Sequence, residues 1–62
     1  MKTYKYPYQL MLEYTDGRRE LKDKVYLNRD SEKKTTEYLS NEDIVAVHCF
    51  HRQSRTVVCT TT

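Results

Sequence analysis

The residues best suited to chemistry in this sequence are two histidines and two cysteines, and all four lie in the segment HCFHRQSRTVVC, residues 48–59. Imidazole nitrogens and thiolates are ligands that zinc prefers, and a thiol close to a histidine can act as a nucleophile. The segment therefore raises three possibilities: a metal site, a redox or catalytic cysteine site, or two strands in which these side chains only pack.

Strand geometry restricts the metal interpretation. Side chains alternate between the two faces of a strand, so His48 and Phe50 point to one side while Cys49 and His51 point to the other. The four potential ligands cannot all converge from a regular hairpin.

The length of the loop around residues 53–54 decides which ligands could still meet. A loop of two residues places His48 opposite Cys59, whereas a loop of three places Cys49 opposite Cys59 with His51 on the diagonal. Only the longer loop would allow a metal site or a cross-strand disulfide, and it lacks the glycine usual at its left-handed position. The sequence favours packing and predicts no metal and no cofactor.

Other catalytic signatures are missing from the sequence. A reactive thiol needs an electropositive, partly exposed setting and an orienting base, and no third orienting group is marked out near the histidines. The chain has a single glycine, which excludes a glycine-rich phosphate loop. We therefore predict a protein that is not an enzyme.

Composition indicates one small domain, residues 1–62, with a thin core. Hydrophobic residues make up 37% and charged residues 32% of the chain, and the net charge of +2 comes from interleaved signs. The longest apolar run near the N-terminus, at residues 10–12, is too short for a signal peptide or a membrane helix. We expect a cytoplasmic protein, in which both cysteines remain free thiols.

The first third of the chain predicts a hairpin. Asp16 and Gly17 suit a two-residue type I′ turn, in which both central residues need positive φ. The resulting register pairs Leu12 with Leu21, Tyr8 with Val25, and Tyr6 with Leu27.

Two features of this register are unfavourable. Asp23 falls among the core positions opposite Leu10, and Glu13 faces Glu20 directly. Either a bulge shifts the register after Leu21 or Asp23 lies near an open edge.

The segment NRDSEKKTTEYLSNEDI, residues 28–44, predicts a short helix. Asp30 or Ser31 can cap its N-terminus and Asn41 can close its C-terminus. Its apolar face consists only of Thr35, Tyr38 and Leu39. Strand propensity in TTEYL keeps a third strand open as the alternative for residues 31–40.

A second hairpin follows, in which IVAVHCFH and RTVVC are rich in β-branched residues. The predicted fold is α+β with the order ββαββ: a four-stranded, mainly antiparallel sheet with one short helix on one face. A small five-stranded barrel is the alternative.

Both faces of the strand at residues 44–50 are apolar, and a single helix can cover only one of them. Either long Lys, Arg and Tyr side chains screen the other face, or it binds a second copy of the chain or another protein. The uncharged terminus TVVCTTT offers an edge for strand pairing, and we expect self-association into a dimer. The predicted role is a protein-interaction module, such as a regulator or inhibitor of a larger protein. The predicted interface consists of Val45, Val47, Cys49 and Val58.

Nucleic-acid binding is the alternative function. Basic side chains interleaved with aromatic ones on a sheet can bind RNA or DNA. The candidate residues are Arg18, Arg19, Lys22, Lys24, Tyr26, Arg52 and Arg55.

Overall fold

The structure, a computed structural model, describes residues 5–26 and 28–62. Its elements are β1 (Tyr8–Tyr14), β2 (Arg19–Val25), α1 (Arg29–Leu39), β3 (Ile44–His51) and β4 (Thr56–Thr61). The strands form one open antiparallel sheet in the order β2-β1-β3-β4. The predicted ββαββ fold is confirmed, and the barrel alternative is wrong because the sheet does not close.

The first hairpin turns through three residues, 15–17, rather than two. The Tyr14 N–H donates to the Arg18 carbonyl oxygen at 2.8 Å, and the Gly17 N–H donates to the Tyr14 carbonyl oxygen at 2.9 Å. Within this loop only Gly17 has a positive φ, of 89°. The Asp16 carboxylate instead accepts a hydrogen bond from the Arg18 N–H at 3.0 Å, which holds the turn from within.

The longer loop shifts the strand register by one residue, and a bulge restores it. Tyr8 pairs with Val25 as predicted, but Met11 rather than Leu12 lies opposite Leu21. The pairing with Tyr6 that was expected for Leu27 lies outside the described residues.

The predicted bulge is therefore confirmed, and it lies at Lys22 and Asp23, between the two registers. The Gln9 side-chain amide donates to the Lys22 carbonyl oxygen at 2.8 Å. The same shift places Glu13 opposite Arg19, so the like-charge pair expected with Glu20 is avoided.

The helix begins two to three residues earlier than predicted. Asn28, not Asp30 or Ser31, is the N-cap, and its side chain accepts from the Asp30 N–H at 3.0 Å and the Ser31 N–H at 3.2 Å. The Ser31 hydroxyl oxygen in turn accepts from the Asn28 N–H at 3.2 Å, which completes a capping box. At the other end Ser40, rather than Asn41, is the C-cap.

The core lies between α1 and one side of the sheet. We call this side the helix face; it is formed by Leu10 and Leu12 of β1 and by Val47 and Cys49 of β3, which pair directly across the two central strands. Partly buried Tyr38 and Leu39 of the helix pack on this core, as predicted. Each fully buried leucine contributes about 2 kcal/mol, which matters in so small a chain.

The opposite side, which we call the open face, has no helix over it. Its central residues are Gln9, Met11 and Glu13 of β1 with His48 and Phe50 of β3.

Two of the four residues of the predicted interface lie on the covered side of β3 and are not accessible to a partner. Val47 and Cys49 are only 2% and 5% exposed, because their pairing with Leu12 and Leu10 places them under the helix. Val45 and Val58 are exposed.

Candidate functional site

The histidine and cysteine segment forms the β3–β4 hairpin through a loop of four residues, 52–55. The Arg55 N–H donates to the His51 carbonyl oxygen at 2.8 Å, and Arg55 adopts a left-handed φ of 56°. Neither the two-residue nor the three-residue loop is therefore present. A bulge between Cys49 and Phe50 then shifts the register, so that Cys49 lies opposite Cys59.

The structure separates the two histidines from this pair of thiols. His48 points to the open face, and His51 is engaged near the loop, where its Nδ1 lies 2.9 Å from the Ser54 hydroxyl and its ring packs edge-on against Tyr8 at 5.2 Å between centroids. Among residues 5–26 and 28–62, no group of three or more His, Cys, Asp or Glu side chains could hold a metal ion. The segment brings together two thiols rather than three ligands.

Cys49 and Cys59 line a cavity of about 270 Å³ between α1 and the sheet. Cys49 is buried and Cys59 is exposed, and both are free. Burial raises the pKa of the Cys49 thiol, and the neighbouring Cys59 adds to the rise. The remaining lining is rich in hydroxyl groups and consists of Leu10, Ser31, Glu32, Thr35, Thr36 and Thr61.

A polar network crosses the open face along a line that reaches every strand. The His48 Nε2 lies 2.9 Å from the Glu13 Oε1, and the His48 Nδ1 lies 2.8 Å from the Thr60 hydroxyl. Arg19 completes the line, with its Nη2 3.5 Å from the same Glu13 oxygen. The hydrogen bond from His48 is the main reason that the pKa of Glu13 is lowered.

A hydroxyl, an imidazole and a carboxylate in sequence also occur in nucleophilic catalysis. Here Thr60 is an exposed residue of the outermost strand, and the imidazole bridges it to Glu13 of β1 across β3. None of these three residues lines the cavity at Cys49 and Cys59, the cleft beside the helix N-terminus or the groove at Phe50. We interpret the network as a set of side-chain interactions that stabilises the packing of the strands.

The open face also carries a groove lined by both apolar and polar side chains. It has a volume of about 380 Å³ and lies between Leu21 of β2 and Phe50 of β3, with Gln9, Arg52 and Arg55 completing its lining. Leu21 is 53% exposed, although its predicted pairing with Leu12 would have placed it in the core. The three-residue loop shifts the register on the turn side of the bulge and places Leu21 opposite Met11, on the open face.

The two edges of the sheet differ in charge. The residues of β2, RELKDKV, include five charged side chains, whereas β4, TVVCTT, has none and is exposed along its whole length. Ion pairs join Lys22 to Glu20 at 2.7 Å and Lys34 to Asp23 at 3.9 Å. On β4, Val57 and Val58 are 46% and 50% exposed. The β4 edge therefore presents main-chain groups and small apolar side chains without any charge.

The basic residues predicted to bind nucleic acid do not form one surface. Arg18, Arg19 and Lys22 are each paired with a carboxylate. Lys24 and Tyr26 line a cleft beside the helix N-terminus, while Arg52 and Arg55 line the groove on the open face.

The network of Glu13, His48 and Thr60 was not predicted from the sequence. Glu13 and His48 are separated by 35 positions, and their contact depends on the pairing of β1 with β3. The alternation of side chains predicted only part of this network, because it placed His48 on the same face as Phe50 and away from Cys49.

Comparison of the chain with protein-family models, with curated proteins and with solved structures finds no match. Within the described residues, no helix is long and apolar enough to span a membrane.

Proposed function

We propose that this protein is a non-enzymatic interaction module that binds another protein chain by strand addition at β4. The observation that carries the proposal is that this edge strand has no charged residue and that each of its residues is exposed. Natural sheets usually protect an edge with lysine, proline, bulges or a covering element. Both edge strands contain a bulge, at residues 22–23 of β2 and at Val58 of β4. They differ in charge, because β2 has five charged side chains whereas β4 has no charge and no proline.

The main chain of β4 would supply most of the affinity. Its inner side pairs with β3, so the outward N–H and C=O groups of the strand are free to accept an extended segment. In strand addition these groups give affinity, while side chains on alternate positions give specificity. Val57 and Val58, both about half exposed, are the side chains that would contact a partner strand.

The partner that we propose is a second copy of this chain. Antiparallel pairing of two β4 strands places valine, threonine and cysteine opposite one another, without opposed like charges. Two sheets then continue into one, and the two-fold arrangement is closed. A strand from a larger protein would use the same edge, and binding of that kind would make this chain a regulator or inhibitor. In this proposal the protein works in the cytoplasm.

Sedimentation equilibrium of the purified chain over a wide concentration range tests the proposal. A single added strand buries less than a standard interface, so we expect a monomer–dimer equilibrium with a Kd of roughly micromolar to millimolar. Because β4 is uncharged, the Kd should change little between low and high salt. A monomer at every concentration would contradict self-association through β4.

Nucleic-acid binding remains the second candidate because Arg52, Arg55 and Phe50 line one groove. A base stacked on Phe50 with phosphates near the two arginines would use this arrangement. Titration of a fluorescent single-stranded RNA at increasing salt separates the candidates. Affinity that falls steeply with salt, and that falls again in R52A/R55A, would favour nucleic acid; no binding would favour the strand-addition proposal.

A further inference from the structure

We infer that Cys49 and Cys59 form a reversible dithiol–disulfide site, whose reactant is a small-molecule disulfide such as oxidised glutathione. This inference is independent of the proposed strand addition. It rests on the opposition of the two cysteines, their unequal exposure and the cavity that they share.

The register supplies the geometry. Cys49 and Cys59 are directly opposed partners in the antiparallel β3–β4 pair. Opposed residues in such a pair have Cα atoms about 4.5 or 5.5 Å apart, and a disulfide accepts about 4.4–6.8 Å. The bulge that follows Cys49 is what creates this opposition, because the register next to the loop, in which Phe50 pairs with Val57, would otherwise place Val58 opposite Cys49.

Unequal exposure gives the two thiols different roles. Cys59 is exposed on the edge strand, whereas Cys49 is buried and has a raised pKa. Attack on an external disulfide requires an accessible thiolate. Cys59 is therefore the attacking residue, and Cys49 resolves the intermediate.

The reaction proceeds in two exchange steps. The Cys59 thiolate attacks one sulfur of oxidised glutathione, forms a mixed disulfide and releases one glutathione thiolate. Cys49 then loses its proton and attacks the Cys59 sulfur, which forms the Cys49–Cys59 bond and releases the second glutathione. The protein dithiol loses two electrons and two protons, and one glutathione disulfide becomes two thiols.

The cavity provides space for the intermediate. It is about 270 Å³ in volume, is lined by both cysteines, and is bordered by the hydroxyl-bearing residues Thr36 and Thr61. A group attached to Cys59 can occupy this space or the solvent beside it while Cys49 attacks from the strand side.

The test uses the reduced full-length chain, treated with excess oxidised glutathione and then with an alkylating agent. Intact mass spectrometry should show the loss of two hydrogen atoms, no bound glutathione and no alkylation. Tryptic cleavage after Arg52 and Arg55 separates the two cysteines, so the disulfide should link two peptides. Cys49→Ser should retain one glutathione on Cys59, and Cys59→Ser should react more slowly than Cys49→Ser.

Three results would overturn the inference: wild-type protein that stops at a mixed disulfide on Cys59, a dimer linked through two Cys59 residues, or an internal disulfide that forms only in denaturant. The wild-type product alone decides among these outcomes, so the test does not depend on the folding of the Cys49→Ser variant.

Discussion

The two edges of this sheet are built from strands of similar length but opposite character. On β2, charged side chains are tied into ion pairs, and a bulge interrupts the ladder at Lys22 and Asp23. The helix also holds this edge, since the Tyr38 hydroxyl donates to the Asp23 carboxylate at 2.6 Å. On β4, one side-chain hydrogen bond joins the strand to its neighbour on the open face, between Thr60 and His48. Since β4 also contains a bulge, at Val58, charge is the feature that distinguishes the two edges. In the proposed strand addition, charge disfavours pairing at β2 and its absence permits pairing at β4.

In the proposed strand addition, this contrast would direct association to one side of the sheet. If both edges were open, the sheet could extend in two directions and form fibres. With a single open edge, pairing through β4 ends at a closed dimer or at a complex with one partner. In this proposal the charged residues of β2 contribute to specificity, even though each surface ion pair adds little stability.

The largest effect is expected from a charge on the open edge. Val57→Lys should weaken self-association at least about 30-fold, a loss of about 2 kcal/mol, because a lysine beside the paired strands must be desolvated or displaced. Sedimentation equilibrium measures the change.

Leu21→Lys is the matched control for this substitution. Leu21 lies on the other edge strand and is 53% exposed, against 46% for Val57. The control should leave the association constant unchanged. An equal loss in both variants would mean that the open face, rather than the β4 edge, mediates association.

A smaller effect is expected from removal of the His48 side chain, which connects β4 to the central strands. His48→Ala deletes the hydrogen bonds to Glu13 and Thr60, and should lower the free energy of unfolding by about 1–2 kcal/mol. Urea unfolding measures this loss. Thr60→Val, which removes only the β4 end of the network, should cost less; a larger cost for Thr60→Val would contradict the assigned roles.

The third prediction converts the protected edge into an open one. Replacement of Glu20, Lys22 and Lys24 by threonine should permit weak pairing through β2. The free energy of association through this edge should be roughly 1 kcal/mol more favourable than in the wild type. The average mass in sedimentation should then rise above that of a dimer. The charge-swapped variant E20K/K22E serves as control and should remain dimeric. If the neutral variant also stops at a dimer, the charges are not what protects β2.

The smallest effect concerns the anchor of β2 on the helix. The hydrogen bond to Asp23 is the main cause that raises the pKa of Tyr38 to about 12. Tyr38→Phe should cost about 0.5–1 kcal/mol at neutral pH, measured by urea unfolding.

The pH dependence of this cost follows from the direction of the shift. A raised pKa means that the folded state favours the neutral phenol, so the stabilisation is fully present below the ordinary tyrosine pKa of 10.0 and is lost as the pH rises towards about 12. The difference between wild type and Tyr38→Phe should shrink over that range. If the difference in unfolding free energy between wild type and Tyr38→Phe kept its neutral-pH value from about pH 9 upwards, this assignment would be contradicted.

Local signals were sufficient to predict the elements of the fold. Gly17 marked the first hairpin, and the spacing of Thr35, Tyr38 and Leu39 marked the helix. The details that depend on loop geometry were not predicted. The Asp16 carboxylate accepts from the following backbone and favours a three-residue loop, and this one extra residue displaced Leu21 from the core to the open face.

The site was less predictable because it depends on long-range pairing. The opposition of Cys49 and Cys59 required both a four-residue loop with Arg55 in a left-handed conformation and a bulge. Neither the loop nor the bulge contains a glycine that would indicate it in the sequence. The identity of the covered face likewise depended on which β3 residues meet Leu10 and Leu12 across the β1–β3 pair, and the sequence of β3 alone is apolar on both faces.

Amide hydrogen exchange at two protein concentrations tests the functional difference between the edges most directly. We expect the amides of β4, Thr56–Thr61, to exchange more slowly at the higher concentration, while those of β2, Arg19–Val25, exchange at the same rate at both. Concentration-dependent protection on β2, or its absence from β4, would contradict strand addition at β4.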